Sequence, residues 1–142
     1  MIIQVISAFI ATAAFSILFY LPRKYILQAG LTGALGWFIY LLVYQNLNDK
    51  ANANLCATLL VAFIAHILAR IYKTPVTMFL IPGIIPLVPG AGMYHIVYSF
   101  FYNQTESAVN YFFETFKMAG SIALGIFVID TFFRVITNKK KI

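Results

Sequence analysis

An apolar stretch, Phe79–Gly92, is interrupted by three prolines, and this interruption constrains the fold more than any other feature of the sequence. Pro82, Pro86 and Pro89 each lack a backbone N–H group, and each ring clashes with the carbonyl group four residues earlier. Irregular backbone at membrane depth persists only where it is buried in protein or lines a wet cavity. Discontinuous helices of this kind form substrate sites in transporters. We therefore expect a broken membrane helix here, with a proline-kinked but well-packed helix as the alternative.

The composition of the chain is that of an integral membrane protein. Of its 142 residues, 62% are hydrophobic and 10% are charged, whereas a soluble domain is about 45–50% apolar and about 25% charged. We predict an all-α, polytopic membrane protein with a single domain. The net charge is +6, but the basic residues stand at the ends of apolar runs, which argues against a nucleic-acid partner. Cys56 is the only cysteine, so the sequence predicts no disulfide framework.

Five transmembrane segments are predicted, because four apolar runs approach the ~20 residues that a bilayer core requires and the proline-rich stretch supplies one more crossing. The segments cover about residues 2–21, 26–44, 53–72, 76–102 and 118–136. In the fourth segment we expect a first helical arm over 76–81, an unwound middle over 82–89 and a second arm from Gly90. Apolar residues at helical spacing between 103 and 117 predict an amphipathic or partner-facing helix that leads into the fifth segment.

The positions of the basic residues predict the orientation of these segments. With five crossings, 8 of the 10 lysines and arginines fall on one side of the membrane. That side receives Arg23, Lys24, Arg70, Lys73, Arg134, Lys139, Lys140 and Lys141. Because a basic excess marks the cytoplasmic side, we expect the N-terminus outside and the C-terminus in the cytoplasm. A re-entrant fourth segment would place the basic C-terminal tail opposite Arg70, so a single broken crossing is favoured.

Sequence motifs for catalysis are missing from the chain. There is no G-x-S-x-G, H-E-x-x-H or Walker-type pattern. A membrane hydrolase would need a nucleophile with a base and an orienting partner, and we find no grouping that supplies them. We predict no enzymatic activity, no cofactor and no metal site.

A transport role has better physical support. A half-helix that starts near Pro89 and Gly90 directs free N–H groups and a partial positive charge into the membrane, and proline suits its first turn. Such a helix end favours carboxylates, so the expected ligand is a small anion or an amino acid. The predicted substrate path is formed by Pro82, Gly83, Pro86, Pro89, Gly90, Ala91, Gly92 and Tyr94.

Two ionisable residues, His95 and Asp130, are candidates for coupling or charge recognition. His95 can carry a proton because histidine titrates near physiological pH; the alternative is a hydrogen bond between helices. Asp130 is predicted to lie at membrane depth, where an acidic residue is by default a candidate for a functional role. The alternative is an ion pair with Arg134 near the cytoplasmic face. His66 lies one turn before Arg70, so we expect it near the interface rather than in a buried proton relay.

The interrupted stretch also carries a family resemblance. Pro82–Gly90, followed by Tyr94, resembles the signature of the threonine/serine exporter family, and in particular its small, YjjB-like subunit. The glycine-rich second segment, Ala29–Trp37, is similar to the family pattern as well. The resemblance covers nearly the whole chain as an arrangement of segments, although only the fourth-segment motif is specific. The family often has arginine at the position of His95, so the resemblance leaves open which substrate charge this chain prefers. The resemblance assigns no role to Asp130.

The resemblance implies an exporter of small metabolites in the bacterial cytoplasmic (inner) membrane. Its expected substrates are amino acids such as threonine and serine, or dicarboxylates such as succinate. It implies a separate larger subunit, and the small-residue faces suggest self-association, so homo- and hetero-oligomers embedded in membrane lipid are expected. A non-transporting membrane scaffold for a larger partner is the alternative function. The sequence leaves the substrate, the coupling ion and the stoichiometry open.

Overall fold

Six α-helices and two short 3₁₀ turns make up the regular structure of residues 1–139. The computed structural model describes residues 1–139. The helices are α1 (Ile2–Leu18), α2 (Ile26–Leu47), α3 (Lys50–Tyr72), α4 (Thr77–Ile84), α5 (Gly90–Phe101) and α6 (Thr105–Lys139), and the 3₁₀ turns cover Arg23–Tyr25 and Ile85–Leu87. The all-α prediction is confirmed for these residues.

Local capping explains the tight turn between α2 and α3. Asn48 ends α2 in a left-handed conformation with φ 54°, which asparagine tolerates better than most residues. Asp49 then caps α3, because its carboxylate accepts hydrogen bonds from the N–H of Ala51 and the amide of Asn52. The two helices therefore form an antiparallel pair whose turn contains polar residues. We call this end of the molecule the Lys50 end, after the first residue of α3.

Small residues allow the first four helices to pack closely. Gly33 of α2 lies against Thr12 of α1, and Gly36 lies against Val61 of α3. Gly83 of α4 also contacts Val61. A Cβ atom added at any of these glycines would overlap the neighbouring side chain, so the glycines set the helix spacing.

Aromatic rings anchor α4 at the other end of the bundle, which we call the Arg70 end. Phe79 is fully buried, and its ring centroid lies 5.7 Å from that of Tyr25 in an edge-on contact. Tyr25 in turn lies 5.0 Å from Tyr72 at the end of α3. From this cluster α4 runs back between α2 and α3 towards the Lys50 end.

The last helix, α6, runs parallel to α3 along the whole length of α3. Lys50 contacts Glu114, and Arg70 contacts Thr137, at similar sequence separations of 64 and 67 residues. Thirty-five residues make α6 about 52 Å long, so it extends about 14 Å beyond Glu114 at the Lys50 end. The helix predicted between 103 and 117 is present as the first part of α6, which continues without a break from Thr105 to Lys139 and so leads directly into the predicted fifth segment.

The extension of α6 pairs with α5 as an antiparallel hairpin, the α5–α6 hairpin (residues 90–115). Gly92 lies against Thr115, and the rings of His95 and Tyr111 stack at 5.0 Å. The N–H of Gln104 closes the turn by donating to the carbonyl of Ser99. The outer surface of this hairpin is unusually aromatic: Tyr94, Tyr98, Phe100, Phe101, Tyr102, Phe112 and Phe113 are all exposed.

Three helical segments are long and apolar enough to cross a membrane, namely 23–47, 50–72 and 105–137. The pair 77–87 and 90–101 meets the same criteria together, which gives up to four crossings. Helix α1 has 17 residues and lies at the short limit of the ~17–25 residues that span a bilayer. The predicted total of five crossings stays a prediction.

Candidate functional site

The proline-rich stretch bends sharply but remains mostly helical. Helix α4 continues through Pro82 to Ile84, and the 3₁₀ turn Ile85–Leu87 follows directly. Only Val88 and Pro89 separate this turn from α5, and the two helical parts meet at 48°. The predicted unwound middle over 82–89 was therefore wrong in extent. A single proline removes one backbone hydrogen bond, and Pro82 is buried among neighbouring helices that hold the helix together around it.

The break itself is a tight turn at Pro89. With φ −77° and ψ 57°, this residue forms an inverse γ-turn in which the N–H of Gly90 donates to the carbonyl of Val88 at 2.8 Å. The first α-helical bond of α5 then runs from Met93 to the carbonyl of Pro89. The N–H groups of Ala91 and Gly92 belong to the first turn and have no helical acceptor.

A cavity of about 470 Å³ opens beside this turn. Its volume falls in the range of about 300–1,000 Å³ that is typical of small-molecule sites. Four helices and the turn form its wall. The lining residues are Trp37, Tyr40, Lys50, Asn54, residues 86–92, His95, Tyr111, Glu114, Thr115 and Met118.

Asn54 is a polar residue in the wall of this cavity. Its side chain is completely buried, and its amide nitrogen donates to the carbonyl of Leu87 at 3.2 Å. Within the part of the chain that the structure describes, the Oδ1 atom has no hydrogen-bond partner. An unsatisfied buried acceptor costs roughly 1–3 kcal/mol, so a ligand that donates to it would gain binding energy.

Opposite charges face the cavity from α3 and α6. The Nζ atom of Lys50 lies 2.8 Å from Oε1 of Glu114, and the two side chains are 42% and 46% exposed. A half-exposed pair of this kind contributes little to stability. Both charges therefore remain free to exchange partners with a ligand.

The structure brings together most of the residues that the sequence predicted for the substrate path, but not all of them. Pro86, Pro89, Gly90, Ala91 and Gly92 line the cavity, and so does His95, which was predicted for coupling or charge recognition. Pro82 and Gly83 are instead buried in the helix packing. Tyr94 does not line the cavity, and 62% of it is exposed on α5.

Asp130 lies at the Arg70 end, away from the cavity. Its carboxylate accepts from Nε of Arg134 at 2.8 Å, which is the ion pair that the sequence left open as the alternative. Its other oxygen lies 3.7 Å from Nε2 of His66. His66 is only 8% exposed, so it is more deeply buried than its proximity to Arg70 in the sequence suggested.

The sequence analysis missed Lys50, Asn54 and Glu114 as site residues. The predicted third segment began near residue 53, so Asn54 resembled the end of a polar loop. Because α3 in fact begins at Lys50, Asn54 lies on its second turn and faces the bundle. A polar residue at helical spacing from buried alanines was the available signal.

Comparisons with known proteins identify the family of the chain. The family profile described as "Threonine/Serine exporter, ThrE" matches residues 4–132. The chain is similar to a threonine/serine exporter of Corynebacterium glutamicum, with 29% identity over 123 residues, or 87% of this chain. It spans 25% of the length of that relative. No solved structure matches the chain. The profile match over nearly the whole sequence shows that the chain belongs to the threonine/serine exporter family.

Proposed function

We propose that this protein is the membrane subunit of an exporter for small amino acids, and that the cavity beside Pro89 is its substrate site. Membership of an exporter family points to a transporter rather than an enzyme. The proposal rests on three kinds of group in the residues that line this one cavity. They are the N–H groups at the start of α5, the unsatisfied amide oxygen of Asn54 and the half-exposed Lys50–Glu114 ion pair.

The chemistry of the cavity suits a zwitterion with a polar side chain. The N–H groups of Ala91 and Gly92, together with Lys50, would bind the carboxylate of an amino acid. Glu114 would bind its ammonium group, and Oδ1 of Asn54 would accept from a hydroxyl group. Threonine and serine offer all three groups, which agrees with the name of the Corynebacterium relative. A dicarboxylate such as succinate would meet the cationic groups but would also face Glu114.

Binding measurements on the purified protein test this proposal. We expect threonine and serine to bind more tightly than succinate. Substituting Lys50→Gln should weaken binding about tenfold or more, because it removes a charged partner of the carboxylate. Lys117→Gln is the matched control, since Lys117 lies near the same end but does not line the cavity. Equal binding by both variants would contradict the assignment of the cavity.

We also propose five crossings of the bacterial inner membrane, with the N-terminus outside and the C-terminus in the cytoplasm. Support comes from the clustering of Arg23, Arg70 and Arg134 at one end of the bundle, as the positive-inside rule requires. Phosphatase and green fluorescent protein fusions after Asn48 and Thr74 test the orientation. Phosphatase activity is expected at Asn48 and fluorescence at Thr74, and the reverse pattern would refute it.

A scaffold role is the second candidate function, and the exposed aromatic surface of the α5–α6 hairpin favours it. As the family resemblance implies, a separate larger subunit is the proposed partner, and the remaining apolar surface would face lipid. Threonine efflux from cells that co-express both subunits separates the two roles. A substrate-path subunit predicts loss of efflux in Lys50→Gln with assembly intact, whereas a scaffold predicts normal efflux.

A further inference from the structure

A second polar cluster lies on the same helix pair as the cavity, at the Arg70 end. His66 of α3 faces Asp130 of α6, with 3.7 Å between Nε2 and Oδ1. Arg134 holds the other carboxylate oxygen of Asp130 at 2.8 Å. The ring of Phe133 stacks on His66 at 4.5 Å and lies 4.6 Å from the guanidinium group of Arg70. Two titratable side chains thus meet across a helix interface.

Helices α3 and α6 pack very closely at a point midway between the Lys50 end and the Arg70 end. A Cβ atom added to Gly125 of α6 would lie 3.0 Å from the Cβ and Cγ2 atoms of Thr58 on α3. Thr58 is eight residues, or about 12 Å, from both Lys50 and His66 along α3. Small residues at a contact point allow two helices to approach with little side-chain interlocking. The contact at Gly125 is therefore placed to act as a pivot between two polar contacts.

The charge on His66 changes its electrostatic contact with Asp130. A neutral imidazole offers Asp130 no opposite charge, and the aspartate then pairs with Arg134 alone. A proton that binds Nε2 from solvent at the Arg70 end creates an imidazolium group facing that carboxylate. Arg70 is the remaining charged group near His66. The other helices packed on α3, α2 and α4, contain no Asp, Glu, Lys or Arg.

We propose that His66 and Asp130 form a protonation-dependent latch that closes the α3–α6 interface at the Arg70 end. Protonation of His66 draws the two helices together around Gly125, and loss of the proton releases them. Release would widen the shallow cavity that His66, Arg70, Phe133 and Arg134 already line. The latch rests on the proposed transport function, because it would couple access from the Arg70 end to a proton. His66 acts as a positioning residue and does not touch substrate.

Spin-label distances between α3 and α6 test the latch directly. The single native cysteine is replaced by Cys56→Ser, and labels are attached through Ile67→Cys and Thr131→Cys, which are exposed positions near the latch. In nanodiscs we expect a shorter distance at about pH 5 than at about pH 8, on either side of the usual histidine pKa. His66→Gln should keep the longer distance at both pH values.

Two further variants identify the groups responsible. Asp130→Asn should also abolish the pH response, whereas Arg134→Gln should preserve it, because the His66–Asp130 contact remains. His95→Gln is the matched histidine control, and its pH response should equal that of the parent protein. A response that persists in His66→Gln, or that disappears in His95→Gln or Arg134→Gln, would overturn the latch.

A transport measurement separates this inference from the proposed function. In proteoliposomes that also contain the larger subunit, threonine exchange without a gradient should continue in His66→Gln, while acceleration by a proton gradient should be lost. Absence of threonine exchange in the unsubstituted protein would refute the proposed function. The spin-label distances would still show whether the latch exists. Unchanged acceleration in a folded His66→Gln protein would refute the latch alone.

Discussion

The side-chain amide of Asn54 donates a hydrogen bond of 3.2 Å to the carbonyl of Leu87, the last residue of the 3₁₀ turn. This contact joins α3 to the broken segment at the point where regular hydrogen bonding stops. Backbone groups released by a helix break must find partners inside a membrane. Asn54 supplies one of them, and the same residue is among those that line the cavity.

Substituting Asn54→Leu should therefore reduce both stability and ligand binding. The variant leaves the Leu87 carbonyl unpaired but also removes the unsatisfied Oδ1 atom, so the expected net cost in the free energy of unfolding is about 1 kcal/mol at most. Thermal unfolding in detergent and threonine binding measure the two effects. Asn52→Leu is the control, because Asn52 is exposed and bonds only the capping residue Asp49. Equal losses in both variants would contradict the role of Asn54.

Two glycines that line the cavity should respond differently to alanine. At Gly92 an added methyl group would overlap Oγ1 of Thr115, so Gly92→Ala should separate α5 from α6 and cost about 1–3 kcal/mol of stability. Around Gly90 no atom lies within 4 Å of an added Cβ, so Gly90→Ala should fold normally. Thermal unfolding distinguishes them. The double variant with Thr115→Ala should recover most of the loss, and a failure to recover would count against the steric explanation.

The glycines of α6 provide a second matched pair. Gly125→Ala should push α6 away from α3, because its Cβ would lie 3.0 Å from Thr58 and 3.4 Å from the backbone nitrogen of Leu59. We expect a loss of about 1–3 kcal/mol. At Gly120 the space is open, and Gly120→Ala should be neutral or stabilising by up to about 1 kcal/mol. Chemical denaturation of both variants, compared under identical detergent conditions, checks this order, and the reverse order would exclude Gly125 as a close contact.

Burial should decide the effect of removing a phenylalanine ring. Phe79 is 0% exposed in the cluster at the Arg70 end, and Phe79→Ala should cost about 3–5 kcal/mol. Phe100 is 71% exposed on the α5–α6 hairpin, and Phe100→Ala should change stability by less than about 0.5 kcal/mol. Unfolding of the isolated protein measures both. A large loss of stability at Phe100 would mean that the hairpin surface is already covered, for example in a homo-oligomer.

Much of the helical architecture could be predicted from local patterns. Apolar runs of membrane length indicated the helices, because an apolar stretch must satisfy its backbone hydrogen bonds internally. The prolines indicated where regular structure would stop, although the interruption is confined to Val88 and Pro89. Asp49 and the polar residues around it marked the turn between α2 and α3. These features depend on residues that are neighbours in the chain, so the sequence contains the information directly.

The composition of the cavity depended on contacts between distant residues. Lys50 and Glu114 are 64 residues apart, and no local pattern indicates that α6 runs parallel to α3 and brings them together. The same register places His66 opposite Asp130, which is 64 residues away in the chain. Helix register is set by the fit of glycines against opposing side chains, as at Gly125 and Thr58. Local sequence therefore specified the helices and the bend, whereas tertiary packing selected the side chains that face one another across them.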